Sequence, residues 1–98
     1  MTVIRHVSVR GRVQGVGFRA FVEHEALKHH LGGWVRNRRD GTVEAVFEGE
    51  APAVATAVEV CRRGPFGARV EALYERDGNA DDLKPLRPGD MFSVLPTA

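Results

Sequence analysis

At the centre of the chain stands Trp34-Val35-Arg36-Asn37-Arg38-Arg39-Asp40-Gly41-Thr42-Val43-Glu44-Ala45-Val46-Phe47-Glu48. Two strand-like runs, 34–38 and 42–48, flank an Asp-Gly pair. This pair is a strong signal for a β-hairpin, because the tight turn needs residues that tolerate positive φ. We therefore predict two antiparallel strands. In the second strand Val43, Ala45 and Phe47 share one face, which we predict to be core, and Val46 breaks the alternation.

A helix is predicted on each side of this hairpin. The first covers Phe18 to Leu31, a stretch without Gly or Pro that stops at Gly32-Gly33. The second begins near Pro52 and ends with Arg62-Arg63 and then Gly64-Pro65. The hairpin therefore lies between two helices along the chain.

Strands are also predicted towards both ends. They cover Val3 to Arg12, Arg69 to Asp77 and a short run from Met91 to Leu95, with a polar loop from Gly78 to Asp90 before the last strand. The order β, α, β, β, α, β plus a terminal β predicts an α+β, ferredoxin-like sandwich, in which an antiparallel sheet carries two helices on one face. Enzymes, RNA binders and regulatory modules all use this architecture, so the fold does not decide the function.

Size and charge narrow the classes of protein. The 98 residues predict a single domain, 1–98, and 14 Lys plus Arg against 13 Asp plus Glu give a net charge of +1. This balance argues against nucleic acid as a partner. The single cysteine, Cys61, excludes an intrachain disulfide, and no apolar run is long enough for a membrane span. The lone cysteine fits a reducing compartment, so we expect a cytoplasmic protein without a membrane partner. We expect a monomer, since no large apolar stripe is left over once the core is assigned.

The junction between the first strand and the first helix is a candidate anion site. It reads Gly11-Arg12-Val13-Gln14-Gly15-Val16-Gly17-Phe18-Arg19. Unpaired N–H groups and the positive end of the helix dipole both favour phosphate there, and Gly15 and Gly17 allow a curled backbone. The positive charge of Arg19 is unfavourable beside the positive end of the helix dipole, unless an anion lies between its guanidinium and the amides. The alternative is a surface arginine whose stem packs on the apolar face.

Two better-known phosphate motifs do not fit this loop. Gly15 to Ala20 matches G-x-G-x-x-A, the dinucleotide fingerprint, with Asp40 as the ribose acid. The chain is too short for the doubly wound sheet that this motif requires, and Asp40 belongs to the hairpin turn. A P-loop requires a Gly-Lys pair, which the chain lacks.

Asn37 is the second candidate. Alternation along the strand puts Val35 and Asn37 on one face and Trp34, Arg36 and Arg38 on the other. The Asn amide has a donor and an acceptor, which suits the orientation of a water molecule. The alternative is a strand-end asparagine that makes turn hydrogen bonds.

Both candidate regions resemble a known family. The loop from Gly11 to Arg19, Gly33-Trp34-Val35-Arg36-Asn37, Gly41-Thr42-Val43 and Gly49 are similar to the two signatures of the acylphosphatases, in the right order and spacing. The resemblance covers nearly the whole chain, and it implies a small ferredoxin-like domain.

The resemblance also implies a function and a site. The function is hydrolysis of the carboxyl-phosphate bond of a small-molecule acyl phosphate to a carboxylate and orthophosphate, with neither a metal nor a cofactor. Arg19 would bind the phosphoryl oxygens, and Asn37 would position the attacking water. The amides that cradle the phosphoryl group would come from Gln14, Gly15, Val16, Gly17, Phe18 and Arg19.

The remaining chemically active side chains are predicted to be structural. The four histidines, His6, His24, His29 and His30, lack metal-site spacing. Cys61 lies on the apolar stripe of the second helix as a buried, inert thiol. The arginines at 36, 38 and 39 form either a steering patch for anions or, as we favour, a solvated rim of the hairpin.

Two other function classes remain. An RNA-recognition module shares this element order, but its third strand would need an aromatic platform, and here that strand offers only Phe47 and a carboxylate. The other is a catalytically idle or carrier-like acylphosphatase domain, such as the module in larger carbamoyl-transferring maturation proteins. Salt-dependent binding of single-stranded RNA would favour the first class. Binding of phosphate analogues without turnover would favour the second.

Overall fold

The computed structural model describes all residues, 1–98. Five strands and two α-helices follow one another in the predicted order, and one short 3₁₀ helix lies within the segment predicted as a polar loop. Their bounds are β1 Thr2–Arg12, α1 Phe18–Lys28, β2 Gly32–Asn37, β3 Val43–Glu50, α2 Ala51–Arg63, β4 Arg69–Asp77, the 3₁₀ helix Ala80–Leu83 and β5 Phe92–Val94. Neither α-helix has the length and apolar character that a membrane span requires.

The five strands form one sheet in the order β4-β1-β3-β2-β5. The four long strands pair with one another in antiparallel orientation, as predicted, and the hairpin pairs Asn37 of β2 with Val43 of β3. The sheet is nevertheless mixed, because β5 runs parallel to β2, with Val35 opposite Val94. The ferredoxin-like prediction is confirmed, and the antiparallel description holds for all strands except β5.

The main core lies between the helices and one face of this sheet. α1 contributes Phe18, Val22 and Ala26, whereas α2 contributes Val54, Ala57, Val58 and Cys61. Each large apolar side chain removed from water here stabilises the fold by about 1.5–3 kcal/mol. The strands meet the helices with Val7, Val9, Val35, Val43, Ala45, Phe47 and Phe92.

The opposite face of the sheet carries a second, smaller cluster. Trp34, Val46 and Leu95 are buried there, and the segment 78–91 covers them with Leu83 and Leu86. The Trp34 indole Nε1 donates a hydrogen bond of 2.7 Å to the main-chain oxygen of Asp82 in the 3₁₀ helix. Val46 is therefore buried on the other face of β3, which explains why it breaks the alternation.

The first helix ends earlier than predicted, at Lys28 rather than Leu31. His30 adopts a left-handed φ of 56°, which turns the chain and sends Leu31 into the core, where it is fully buried. The two glycines predicted as a helix stop belong to β2 instead. At Gly33 (φ 127°) a Cβ atom would lie 1.8 Å from the Val46 carbonyl oxygen, so only glycine lets β2 approach β3 this closely.

Candidate active site

The loop between β1 and α1 curls because of two glycines. Gly15 and Gly17 have left-handed φ values of 75° and 79°. A Cβ atom at either position would meet nothing within 4 Å, so both residues face open space rather than the protein. The loop thus turns a concave main-chain surface outward.

This loop presents unpaired hydrogen-bond donors. From Gln14 to Ala20 no main-chain N–H group donates to an acceptor within the protein, and the first paired amide is that of Phe21, bonded to the Gly17 oxygen at 3.0 Å. No side chain caps α1, whose N-cap is Gly17, and its first turn has no acidic residue. The unpaired donors and the helix dipole together favour an anion.

Arg19 lies in the first turn of α1 and is half-buried. Its guanidinium takes part in none of the ion pairs of the protein and in none of its side-chain hydrogen bonds. A half-buried cation at the positive end of a helix is unfavourable by itself, because both the burial and the dipole act against its charge. The position makes physical sense when an anion lies beside it.

Asn37 is the last residue of β2 and shares its face with Val35, as the alternation predicted. Its main-chain oxygen accepts a hydrogen bond from Ala98 at 3.0 Å, whereas its side chain bonds to no group in the protein. The hairpin turn is closed by Asp40, which accepts from the main-chain N–H and the hydroxyl of Thr42. These two bonds hold the pKa of Asp40 below its usual value. The Asn37 amide is thus not used in the turn.

One groove of about 430 Å³ brings these groups together. Of the predicted site residues, Gly15, Gly17, Arg19 and Asn37 line it. Phe18 instead points into the core, and Val16 packs against it. The sequence analysis missed Ala20, Glu23 and Val94, which complete the lining. The spacing of Glu23, four residues after Arg19 on one helix, is the signal by which it could have been found.

Gln14 connects the loop to the hairpin. Its side-chain Nε2 donates to the main-chain oxygen of Arg38 at 2.7 Å and to that of Thr42 at 2.9 Å. Both bonds reach the residues directly beyond the ends of the two hairpin strands. The loop and the strand that carries Asn37 are therefore held in one geometry.

Known proteins resemble this chain along nearly its whole length. The acylphosphatase family model matches residues 5–84. An acylphosphatase of Rhodopseudomonas palustris (strain BisB18) is 60% identical over 96 residues, which cover 98% of this chain and 97% of that protein. The chain belongs to the acylphosphatase family. The resemblance inferred from the two signatures is confirmed.

Solved structures show the same relationship to the acylphosphatases. The crystal structure of acylphosphatase from Bacillus subtilis matches with a TM-score of 0.82 and 38% identity, over 97% of this chain and 99% of that one. The crystal structure of T. kodakarensis HypF matches with a TM-score of 0.74 and 30% identity, and there the match covers only 12% of the longer chain. The fold thus occurs both as a small protein and as a part of a larger one.

Behind the groove of this acylphosphatase-family chain, on the other face of the sheet, Glu44 is the centre of a charged cluster. It bonds to His6 Nε2 and to Arg36 Nε, both at 2.7 Å, and to Arg38 at 3.3 Å. Burial favours the neutral carboxyl, but the bonds from His6 and Arg36 outweigh it, so the pKa of Glu44 is lowered. The guanidinium carbon Cζ of Arg36 also lies over the Trp34 ring, 4.7 Å from the ring centroid. Two of the three hairpin arginines are therefore paired, which supports the rim interpretation over steering.

The remaining reactive side chains lie outside the groove. Cys61 is fully buried in the core, and burial, with a smaller contribution from the charge of Glu25, raises the pKa of its thiol to about 12. His29, the residue directly after α1, lies 3.8 Å from Glu25 of that helix. No three His, Cys, Asp or Glu side chains come close enough together to hold a metal ion. These side chains therefore lie away from the groove that Arg19 and Asn37 line in this acylphosphatase-family chain.

Proposed function

We propose that this chain hydrolyses the carboxyl-phosphate bond of small-molecule acyl phosphates, with the 14–19 loop as its phosphate-binding loop and Arg19 and Asn37 as its catalytic residues. One observation carries the proposal. Unpaired main-chain amides, an arginine without a protein partner and an asparagine with a free side-chain amide meet at one groove. Family membership supports the same reaction.

The phosphoryl group binds between the loop and Arg19. The amides from Gln14 to Arg19 donate to its oxygens, and the planar guanidinium of Arg19 binds two of them at once. Phosphoryl transfer passes through a loose transition state with charge spread over these oxygens. Donors that are already in place stabilise this charge without reorganisation.

The Asn37 side chain orients the attacking water by accepting a hydrogen bond from it. The water oxygen forms a bond to phosphorus while the bond from phosphorus to the acyl oxygen breaks. The electron pair of that bond stays with the carboxylate. Both protons of the water remain on the product as dihydrogen phosphate, which exchanges one of them with the solvent. Atoms and charge therefore balance without a further reactant.

The leaving group explains why so few residues suffice. A carboxylic acid titrates near pH 4, like Asp or Glu, so the carboxylate leaves at neutral pH without a general acid. Water held in place is a sufficient nucleophile, because positioning and charge stabilisation dominate this reaction. We accordingly propose a metal-independent enzyme that acts as a monomer in the cytoplasm, with no nucleic-acid or membrane partner.

The test is hydrolysis of benzoyl phosphate by the purified protein at neutral pH, in the presence of a chelator. We expect rapid turnover that the chelator leaves unchanged and that Arg19→Ala removes. Arg39→Ala is the matched control, since Arg39 is an exposed arginine at the hairpin turn. Absence of turnover in the folded wild-type protein, together with binding of a phosphate analogue, would replace the enzyme with a phosphate-binding or carrier module.

A further inference from the structure

Glu23 places a carboxylate in a groove that is otherwise built for an anion. It lies one turn beyond Arg19 on α1, on the same side of the helix, and it lines the groove together with Ala20 and Val94. Its carboxylate forms no ion pair, neither with Arg19 nor with any other cation of the protein. The groove therefore contains a negative charge that no cation of the protein neutralises.

The position of Glu23 corresponds to the acyl end of a bound substrate. Gly15, Gly17, Arg19 and Asn37 supply the phosphoryl end of the groove, according to the proposed function. The rest of the lining is Ala20, Val94 and Glu23, which is two small apolar side chains and one carboxylate. Because Gly15, Gly17, Arg19 and Asn37 hold the phosphoryl group and the water, this remaining part of the groove is left for the acyl group.

The charge of Glu23 has opposite effects on different acyl groups. An uncharged acyl group packs on Ala20 and Val94 and leaves the carboxylate hydrated. An acyl group that carries its own carboxylate or a second phosphate brings a like charge close to Glu23 across an open groove, where the two charges repel each other and salt weakens the repulsion. A cationic acyl group gains an attraction instead.

We infer that Glu23 is a specificity-determining residue, which directs this enzyme towards acyl phosphates with uncharged or cationic acyl groups and against those with a second negative charge. The inference rests on the proposed function and deepens it. Every acyl phosphate presents the same phosphoryl group to the loop, so the loop cannot select between acyl groups. The inference assigns this selection to Glu23, a side chain outside both family signatures.

The test compares benzoyl phosphate with 4-carboxybenzoyl phosphate, two substrates that differ by one remote carboxylate. Wild type should prefer benzoyl phosphate in kcat/KM. In Glu23→Gln we expect this preference to fall about three- to tenfold, through faster hydrolysis of the carboxylated substrate, while benzoyl phosphate changes by less than about twofold. High salt should reduce the wild-type preference and leave that of the variant nearly unchanged.

The matched control is Glu59→Gln. It removes the same charge from an exposed position on α2, beside a different cavity lined by Val54 and Val58. We expect the substrate preference of this variant to equal that of wild type. An equal fall in Glu59→Gln would show that net charge, rather than Glu23, sets the preference and would overturn the inference.

A different role of Glu23 gives a different result. If Glu23 acts by holding Arg19, Glu23→Gln changes both substrates by the same factor, and the inference is wrong. Calorimetric binding of benzoylphosphonate and 4-carboxybenzoylphosphonate provides the same comparison without turnover. Selective binding that Glu23→Gln abolishes would support the inference even if hydrolysis fails, so the two proposals are tested separately.

Discussion

The side chain of Gln14 is bonded to the main chain of Arg38, with Nε2 donating to the Arg38 carbonyl oxygen at 2.7 Å. The same nitrogen donates to Thr42 at 2.9 Å, so one amide closes the end of the hairpin and fixes the start of the phosphate loop. Asn37 directly precedes Arg38. The relative position of the loop and Asn37 therefore depends on a residue whose side chain does not line the groove.

Gln14→Ala should lower both stability and activity. Two hydrogen bonds are lost and two carbonyl oxygens lose a donor, which costs about 2 kcal/mol of unfolding free energy. Because the loop and Asn37 are no longer held together, kcat should fall more than KM rises. Chemical denaturation and steady-state kinetics measure the two effects. A variant with reduced stability and unchanged kcat would show that Gln14 has no positioning role.

Gly15→Ala should lose activity out of proportion to stability. An alanine at φ 75° is strained, which costs about 1 kcal/mol, and it adds a methyl group to a residue that lines the groove. Gly89→Ala is the control, because Gly89 has a φ of 87° and equally open surroundings in the segment on the far side of the sheet. Both variants should lose similar stability, whereas only Gly15→Ala should lose roughly tenfold or more in kcat/KM. Equal kinetics would contradict a phosphate-binding role of the loop.

Arg19→Lys should be a poor substitute despite its retained charge. An ammonium cannot reproduce the two parallel hydrogen bonds of a guanidinium, so kcat/KM should fall by about 10²–10³. Arg39→Lys, the same change at an exposed position, should be close to wild type. Near-normal activity of Arg19→Lys would mean that Arg19 contributes only its charge.

Asn37→Ala separates function from folding. The side chain has no hydrogen-bond partner in the protein, so the unfolding free energy should change by no more than about 0.5 kcal/mol. Turnover should fall by roughly 10², as for a single transition-state contact. Calorimetric unfolding and benzoyl phosphate kinetics are the measurements. Unchanged turnover in the folded variant would remove Asn37 from the mechanism.

Acid should loosen the cover over Trp34 before the main core unfolds. The hydrogen bonds from Arg76 lower the pKa of Asp82 from 3.8 to about 2. The stabilisation from this lowered pKa is complete above pH 3.8 and is lost as pH falls towards 2. Trp34, the only tryptophan, bonds to the main chain of Asp82 and reports on the cover by fluorescence. Asp82→Asn should show no such change over this pH range, and a matching acid transition in that variant would refute the assignment.

Local signals predicted most of the fold, and contacts between distant segments account for the rest. The Asp-Gly turn, the Pro and Gly residues at the ends of α2 and the alternation in β3 are all readable within a few residues. The end of α1 was not, because Leu31 leaves the helix to reach a core position that only the tertiary structure provides. Val46 was out of phase for a similar reason, since its partners Trp34 and Leu95 come from other segments.

The candidate site, too, could be predicted only in part from the sequence. The motif residues Arg19 and Asn37 were predicted and line one groove, and their roles remain predictions. The ion pairs of Glu44 with Arg36 and Arg38 were not predicted, because they depend on the register between β2 and β3, which the sequence does not define to a single residue. The spacing of four residues from Arg19 is the one local signal for Glu23, and it does not decide, because a single carboxylate on a polar helix face looks the same whether it faces water or a groove.

The two edges of the sheet have a consequence for self-association. An open strand edge is a template on which another chain can add a strand and begin an aggregate. β5 has only three residues, and β4, the longer edge, carries a bulge opposite Arg10 and Gly11. Five of its exposed side chains are charged, namely Arg69, Glu71, Glu75, Arg76 and Asp77.

Because β5 covers the outer side of β2, the strand that carries Asn37 is never the exposed edge. The hydrogen bonds of the last residue extend this cover, since Ala98 bonds to the main chain of both Asn37 and Arg39. The hydrogen bonds of β5 and Ala98 thus keep β2 from pairing with a strand of a neighbouring molecule. Concentrated solutions of this protein should accordingly resist the formation of intermolecular β-sheet.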